Sequence, residues 1–352
     1  MGVKEVSQLP FHPTETSTKD TLMIHLGQVA SANRACSLLY SYIKEQPYGK
    51  WLLPVNVCPD VPLTFALAGV PFQFIDIDLS TLCIDVEECR RILSNDAKVA
   101  GIVYVRTYGY ISEMSEQFKS LRKIKPEIRI VDDRCLCIPE EPVEFGGADM
   151  ILYSTGKCKP VDFGGGGLAF YANQVEYKVD EDLYYNGTDE ECLYKEAYSS
   201  GMPLKTIPKG WLHLGQYKEP AIYLQEIAQN KKERSKQRKK INSIYCEFLP
   251  ESICLQSGYQ DWRFNILVPP ELKQEILDSL FANGLFASSH YHSANRLFDN
   301  NEYKNSDRLF SGVINLFNDK YYTEERAINT CKIINEIMRK HKIPPHPIYT
   351  GS

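Results

Sequence analysis

Between residues 29 and 171, short apolar runs alternate with stretches whose apolar residues recur every three or four positions. A short apolar run bounded by turn formers predicts a strand, and the wider spacing predicts one face of a helix. Val29–Ile43 therefore reads as a helix with Ala35, Leu38, Leu39 and Tyr42 on one side. Trp51–Val57 is a strand ending before Pro59, Val61–Ala68 a helix closed by Gly69, and Pro71–Asp78 a strand. Val86–Leu93 and Met114–Ile124 are helices. Ala100–Tyr104, Ile128–Val131, Met150–Tyr153 and Leu168–Tyr171 are strands.

Strand and helix in strict alternation, with short connections, mean a mostly parallel sheet covered by helices on both faces. Ligands of such sheets bind beyond the carboxyl ends of the strands. Here those ends carry Pro54–Cys58, Tyr108-Gly109, Asp132-Asp133 and Ser154–Lys159, so an acid and a lysine converge on one crevice.

The flanks follow other patterns. Residues 1–28 are polar and irregular, an arm. Residues 173–215 are polar and tyrosine-rich with no clear period, and form an insertion or a substrate-shaping loop region. Glu219–Phe248 reads as one long helix, whose Lys231–Lys240 run, KKERSKQRKK, predicts a solvated face. Beyond it, strands at Phe264–Val268 and Val313–Leu316 alternate with helices at Leu272–Ala282 and Thr323–His341. The predicted organisation is an arm (1–28), a large α/β domain (29–215), a linking helix (216–248) and a smaller C-terminal α+β domain (249–352).

Composition narrows the function. Hydrophobic residues make up 43% of the 352 and charged residues 24%, an ordinary soluble balance. A net charge of −5 gives no general attraction to nucleic acid or anionic membrane. The amino terminus, MGVKEVSQLPFHP, has no apolar signal core, and no apolar run is long enough for a membrane span. Eleven cysteines are scattered without zinc spacing, which fits reduced thiols in the cytoplasm. His290 and His292 lie two apart with no carboxylate at ligand spacing, so no metal is expected.

The chemistry concentrates in Ile151–Tyr171, ILYSTGKCKPVDFGGGGLAFY. Four consecutive glycines cost backbone entropy and mark a sharp turn or a close approach of the chain to a ligand. Ser154 offers a hydroxyl to an anion, and Lys157 and Lys159 offer amines that attack carbonyls once deprotonated. A Walker loop needs its Lys-Ser/Thr after the glycines, and a dinucleotide fingerprint needs a helix there. Here the lysines come first and a strand follows. The residues alone leave a plain surface loop as the alternative, and do not choose between the two lysines.

With lysine, acid and strand order in place, the chain resembles the fold-type I pyridoxal phosphate (PLP) enzymes, and within them the DegT/StrS-type nucleotide-sugar aminotransferases. The resemblance covers about Val29–Tyr171, with a weaker echo at Leu309–Glu325. WLLPVNVCPDVPLTFALAGVPFQFIDID is similar to the family's strand, substrate loop and helix ending in "Did". VYVRTYGY stands at its "V-H-x-Y/F-G", and IVDDRCLC at its "i-E-D-a-a-Q". STGKCKPVDFGGGG is similar to its "S-F-x-x-x-K-x-x-D-x-G-x-G-G" and sets the register that selects Lys159.

What the resemblance implies is specific. Lys159 would form the Schiff base and then shuttle the proton, and Asp133 would pair with the pyridine nitrogen. Ser154, with Asn33 and Arg34 at the mouth of the first helix, would hold the phosphate, and Cys58 would lie against the ring. Arg106 and Tyr108 would face the substrate. The implied reaction moves an amino group from an amino acid, glutamate first, to a keto-sugar carried on a nucleotide, in a homodimer with shared active sites. Four positions depart from the family: Arg106 replaces His, Leu136 replaces Gln or His, Cys58 replaces an aromatic ring and Asn33 replaces Gly. They keep open a PLP-dependent lyase or transferase on a non-sugar substrate, or a non-catalytic binding subunit.

Overall fold

The structure, a computed structural model, describes residues 29–342 apart from 111, 142, 181, 182 and 300. The expected arm at 1–28 lies outside the described residues. Seven strands form one sheet: β1 (Val29–Ala32), β2 (Lys50–Pro54), β3 (Phe72–Ile75), β4 (Val99–Val105), β5 (Arg129–Asp133), β6 (Met150–Ser154) and β7 (Gly167–Tyr171). Their order across the sheet is β1-β7-β6-β5-β4-β2-β3. The five strands β3 to β6 in that order are parallel, and β7 and β1 close one edge antiparallel.

Side chains alternate across this sheet with a period of two, as any strand requires. Leu52, Ile102, Ile130 and Ile151 point to one face, where they meet Cys89, Ile92 and Leu93 of α3 (Val86–Asn95), Phe118 and Leu121 of α4 (Ser115–Ile124), and Tyr223 of α6 (Pro220–Phe248). Trp51, Leu53, Val103, Val131 and Leu152 point to the other, against α1 (Ala35–Lys44) and α2 (Asp60–Ala68). Both faces being buried, the strands read as continuous apolar runs.

Local signals set the ends of several helices. Asp85 caps α3 by accepting from Glu87 and Glu88 N–H, and Glu219 caps α6 by accepting from Ile222 N–H. Gly69 ends α2 at φ 68°, a left-handed conformation that glycine adopts without a Cβ penalty.

The helix expected over Val29–Ile43 divides in two. Val29–Ala32 is β1, paired antiparallel with β7, and helix begins only at Ala35. The small residues of VASA follow either period, and the free edge of β7 decides between them. The polar stretch 173–215, read without periodicity, contains α5 (Glu190–Ser200), capped by Asp189 and ended by Gly201 at φ 66°.

After α6 a second sheet forms, with order β8 (Phe264–Leu267), β10 (Val313–Leu316), β9 (Ala287–Ser288), all antiparallel. It buries Phe264, Ile266, Ile314 and Leu316 against α7 (Pro270–Ala282), α9 (Glu324–Lys340) and the end of α6. A further helix, α8 (Lys304–Gly312), leads into β10. Among the described residues no helix is long and apolar enough to cross a membrane.

Candidate active site

Strands β4, β5 and β6 end side by side, at Val105, Asp133 and Ser154. The two-residue period sends Val105, Asp133, Leu152 and Ser154 to the face that carries α1 and α2. There they line a cavity of about 440 Å³ whose other walls are the start of α1, Cys58 and Asp60, the loop from Gly156 to Gly166, and Tyr291. Asn33, Arg34, Cys58, Asp133, Ser154 and Lys159 all meet in it.

Asp133 is 4% exposed, and its Oδ1 accepts from Cys135 N–H at 2.9 Å. Burial pushes its carboxyl above the ordinary value, against the opposing pull of Cys135 and of the Lys159 charge. Lys159 is half-buried, and among the described residues its amine makes no ion pair or hydrogen bond. Lys157 is exposed at the rim. The loop that carries both is braced by Asp162, whose carboxylate accepts from Cys158 N–H and Gly164 N–H at 2.8 Å each.

The glycines serve close approach. A Cβ on Gly167 would sit 2.5 Å from Ala35 Cα and 2.7 Å from the Arg34 carbonyl carbon. Without it, β7 runs directly against the opening turn of α1. Gly166 lies at φ 99° and its N–H donates to Asn33 O at 2.8 Å, fixing the loop to the same turn. The first amides of α1, Ala35 and Cys36, line the cavity with it. Such amides have no intrahelical acceptor, and with the helix dipole they suit an anion.

Arg34's side chain is committed elsewhere: it reaches Asp60 at 2.9 Å and Glu190 of α5 at 2.6 Å, over the Trp211 ring. An anion here meets backbone N–H groups and the Ser154 hydroxyl, with Arg34 contributing through its paired charge. An apolar-walled space with anion donors at one end, a buried carboxyl and a free amine fits the phosphate, pyridine nitrogen and aldehyde of PLP.

Two expected substrate-side residues lie elsewhere. Arg106 sits one step along β4's period from Val105, so it points to the opposite face. Its Nε and Nη2 donate to Asp132 at 2.7 and 2.9 Å and its Nη1 donates to Ser112 O at 2.6 Å, with 3% of the side chain exposed. It is a buried ion-pair residue, and Arg134 at 2.8 Å completes an Arg–Asp–Arg triad around Asp132. Tyr108 is fully buried outside the cavity, its hydroxyl donating to His290 O and its ring stacked on Trp262 at 6.2 Å.

Three cavity residues were not anticipated. Asp60 opens α2, and burial raises its carboxyl although Arg34 opposes the shift. Its position directly after Pro59, where helices favour acids, was the available signal. Cys36 is pushed up to about 12 by burial. Tyr291 arrives from the C-terminal half, far along the chain from the strand-end motifs that supply the rest of the cavity. Its neighbours in the HYH motif diverge: His290 packs on Trp262 at 5.7 Å, and His292 stacks on Tyr198 at 4.4 Å.

No family model matches the chain, and no curated protein matches its sequence. Solved structures do match. Helicobacter pylori PseC, an aminotransferase involved in the biosynthesis of pseudoaminic acid, is 18% identical, with 91% of this chain and 90% of that chain covered and a TM-score of 0.66. The sugar aminotransferase CalS13 from Micromonospora echinospora is 15% identical over 92% of each chain, TM-score 0.66. NtdA from Bacillus subtilis, solved with bound cofactor PMP, is 16% identical over 91% of this chain and 76% of that one, TM-score 0.67. The chain has the α/β fold of these proteins, as the resemblance of its motifs led us to expect.

Proposed function

We propose that the protein is a PLP-dependent aminotransferase that takes an amino group from an amino acid, glutamate first, and delivers it to a keto-sugar carried on a nucleotide. Polysaccharide or secondary-metabolite biosynthesis is the setting this reading implies. The observation that carries it is the meeting of an unpartnered Lys159 amine, a buried Asp133 carboxyl and the amide-lined mouth of α1 in one cavity. The names of the proteins that share the fold support the same chemistry.

PLP supplies an electron sink for the electrons left when the substrate carbon loses its proton. The chain's own residues would do the rest. The α1 amides, with Asn33, Arg34 and Ser154 around them, would hold the phosphate. Asp133 would pair with the pyridine nitrogen and keep a proton there, which would give its buried carboxyl an ion pair. Cys58 would line the space for the ring. Lys159 would hold PLP through its amine and, when that amine is free, would take and return the substrate's proton. This reading also includes a cytoplasmic homodimer whose active sites are shared, and the domain division at residues 215 and 248.

The test is the visible spectrum of the purified protein with added PLP, before and after glutamate. The proposal expects an absorbance band that bleaches on adding glutamate, with one equivalent of 2-oxoglutarate released per site. A band that no amino acid changes, or no band under saturating PLP, contradicts it.

A further inference from the structure

The backbone of Lys159 is held by a buried cation that, among the described residues, makes no ion pair. Arg238, midway along α6, is 4% exposed. Its Nη1 donates to Trp262 O at 2.6 Å and to Asn318 Oδ1 at 2.5 Å. Its Nη2 donates to Lys159 O at 3.1 Å and, at 3.5 Å, to Pro160 O. Its Nε has no acceptor, while the neighbouring Arg263 is paired with Asp319 at 2.9 Å. A second donor acts on the preceding carbonyl: Trp262 Nε1 donates to Cys158 O at 3.0 Å. Trp262 is itself stacked against Tyr108 and against the cavity residue Tyr291.

Two consecutive carbonyls, of Cys158 and Lys159, are thus gripped by side chains of the C-terminal half. On its other side Lys159 N–H donates to Gly156 O at 3.2 Å, and Asp162 closes the loop. A buried guanidinium whose hydrogen bonds all go to neutral acceptors is costly to keep: burial together with Arg263 brings this one down to about 10, against the more distant pull of Asp319, Asp261 and Asp162. The sequence places it in a run of solvated basic residues, yet it alone of that run is fully buried.

We infer that Arg238 is a positioning residue for Lys159. It fixes the backbone from which the amine projects and ties that backbone, through Trp262 and Asn318, to the second sheet. The inference rests on the reading of Lys159 as the residue that holds PLP.

The test compares PLP-loaded wild type, Arg238→Met and Arg238→Lys by melting temperature, by the pH midpoint of the visible band and by kcat and KM. Arg238→Met is expected to shift the pH midpoint and to lower kcat by about 10²-fold, the scale of an ångström's misplacement, with KM for the amino donor little changed. Arg238→Lys, which keeps the charge, is expected to restore part of both. Wild-type midpoint and kcat in Arg238→Met, whatever its melting temperature, overturn the inference. Should Arg238→Met not fold, Trp262→Phe removes the donor to Cys158 O and trims the stack on Tyr108 and Tyr291, so its melting temperature is read beside its pH midpoint. A smaller shift in the same direction supports the inference, and none overturns it. Wild type without a PLP band overturns the proposed function and this inference together, before any variant is compared.

Discussion

The two walls of the cavity differ in kind. The wall built from residues 29–171 supplies reactive and binding groups: the α1 amides, Asp133, Ser154 and Lys159. The wall from the C-terminal half supplies Tyr291, and behind the lining Trp262 stacks on it while Trp262 and Arg238 grip the lysine's backbone. The first is written in strand ends and glycines close together in sequence. The second is assembled from residues 79 to 132 positions downstream of Lys159 that have no shared motif. Chemistry can be placed locally at the end of a parallel sheet, whereas holding it rigid takes contacts of high sequence separation.

Variants on the first wall should lose chemistry, and the largest expected effect is there. Lys159→Ala removes the group proposed to hold PLP and move the proton. Amino transfer should fall by roughly 10²–10⁴-fold, the usual worth of a positioned acid–base group, with the fold intact by circular dichroism. Near-wild-type turnover would move the chemistry off this wall.

Arg106→Met sharpens the contrast between neighbouring faces of the same strands. It leaves the buried Asp132 with Arg134 alone and should cost about 3–5 kcal/mol in urea unfolding. If instead stability held and only the KM for the acceptor rose, Arg106 would belong to the substrate after all.

Asp133→Asn separates binding from stability by pH. Burial raises this carboxyl in the folded chain, so its favourable contribution exists below the unfolded value and is lost as pH rises through the raised folded value. The PLP-free variant should therefore gain melting temperature over wild type as pH is raised from acid to neutral, while its affinity for PLP falls. A gain that appears instead toward acid would reverse the assignment of Asp133 as a carboxyl whose burial outweighs the pull of Cys135 and Lys159. The smallest effect belongs to Lys157→Ala: exposed at the rim, it should change stability by less than about 0.5 kcal/mol and leave PLP binding as it is.

The contrast also governs what could be read in the sequence. The parallel strands were legible because burial on both faces leaves unbroken apolar runs, and their order placed Asp133, Ser154 and Lys159 on one crevice. β1 was not, because VASA fits either period and only the antiparallel edge of β7 makes it a strand. Arg106 was misplaced by one residue of strand phase: a motif fixes a position along β4, but the period of two decides which face it reaches. Arg238 was hidden by its company, since six basic neighbours make any one of them look solvated. α5 carries a local signal, an aspartate cap before two glutamates and a glycine at the end, that is masked by its place inside a polar stretch rich in tyrosines.

The central claim is that Lys159 is the residue that holds PLP. The most direct measurement is to load the protein with PLP, reduce it with borohydride, digest it and locate the added mass by peptide sequencing. The account predicts one modified residue, Lys159, with Lys157 in the same peptide unmodified. A label on Lys157, or spread over surface lysines with Lys159 bare, would contradict it.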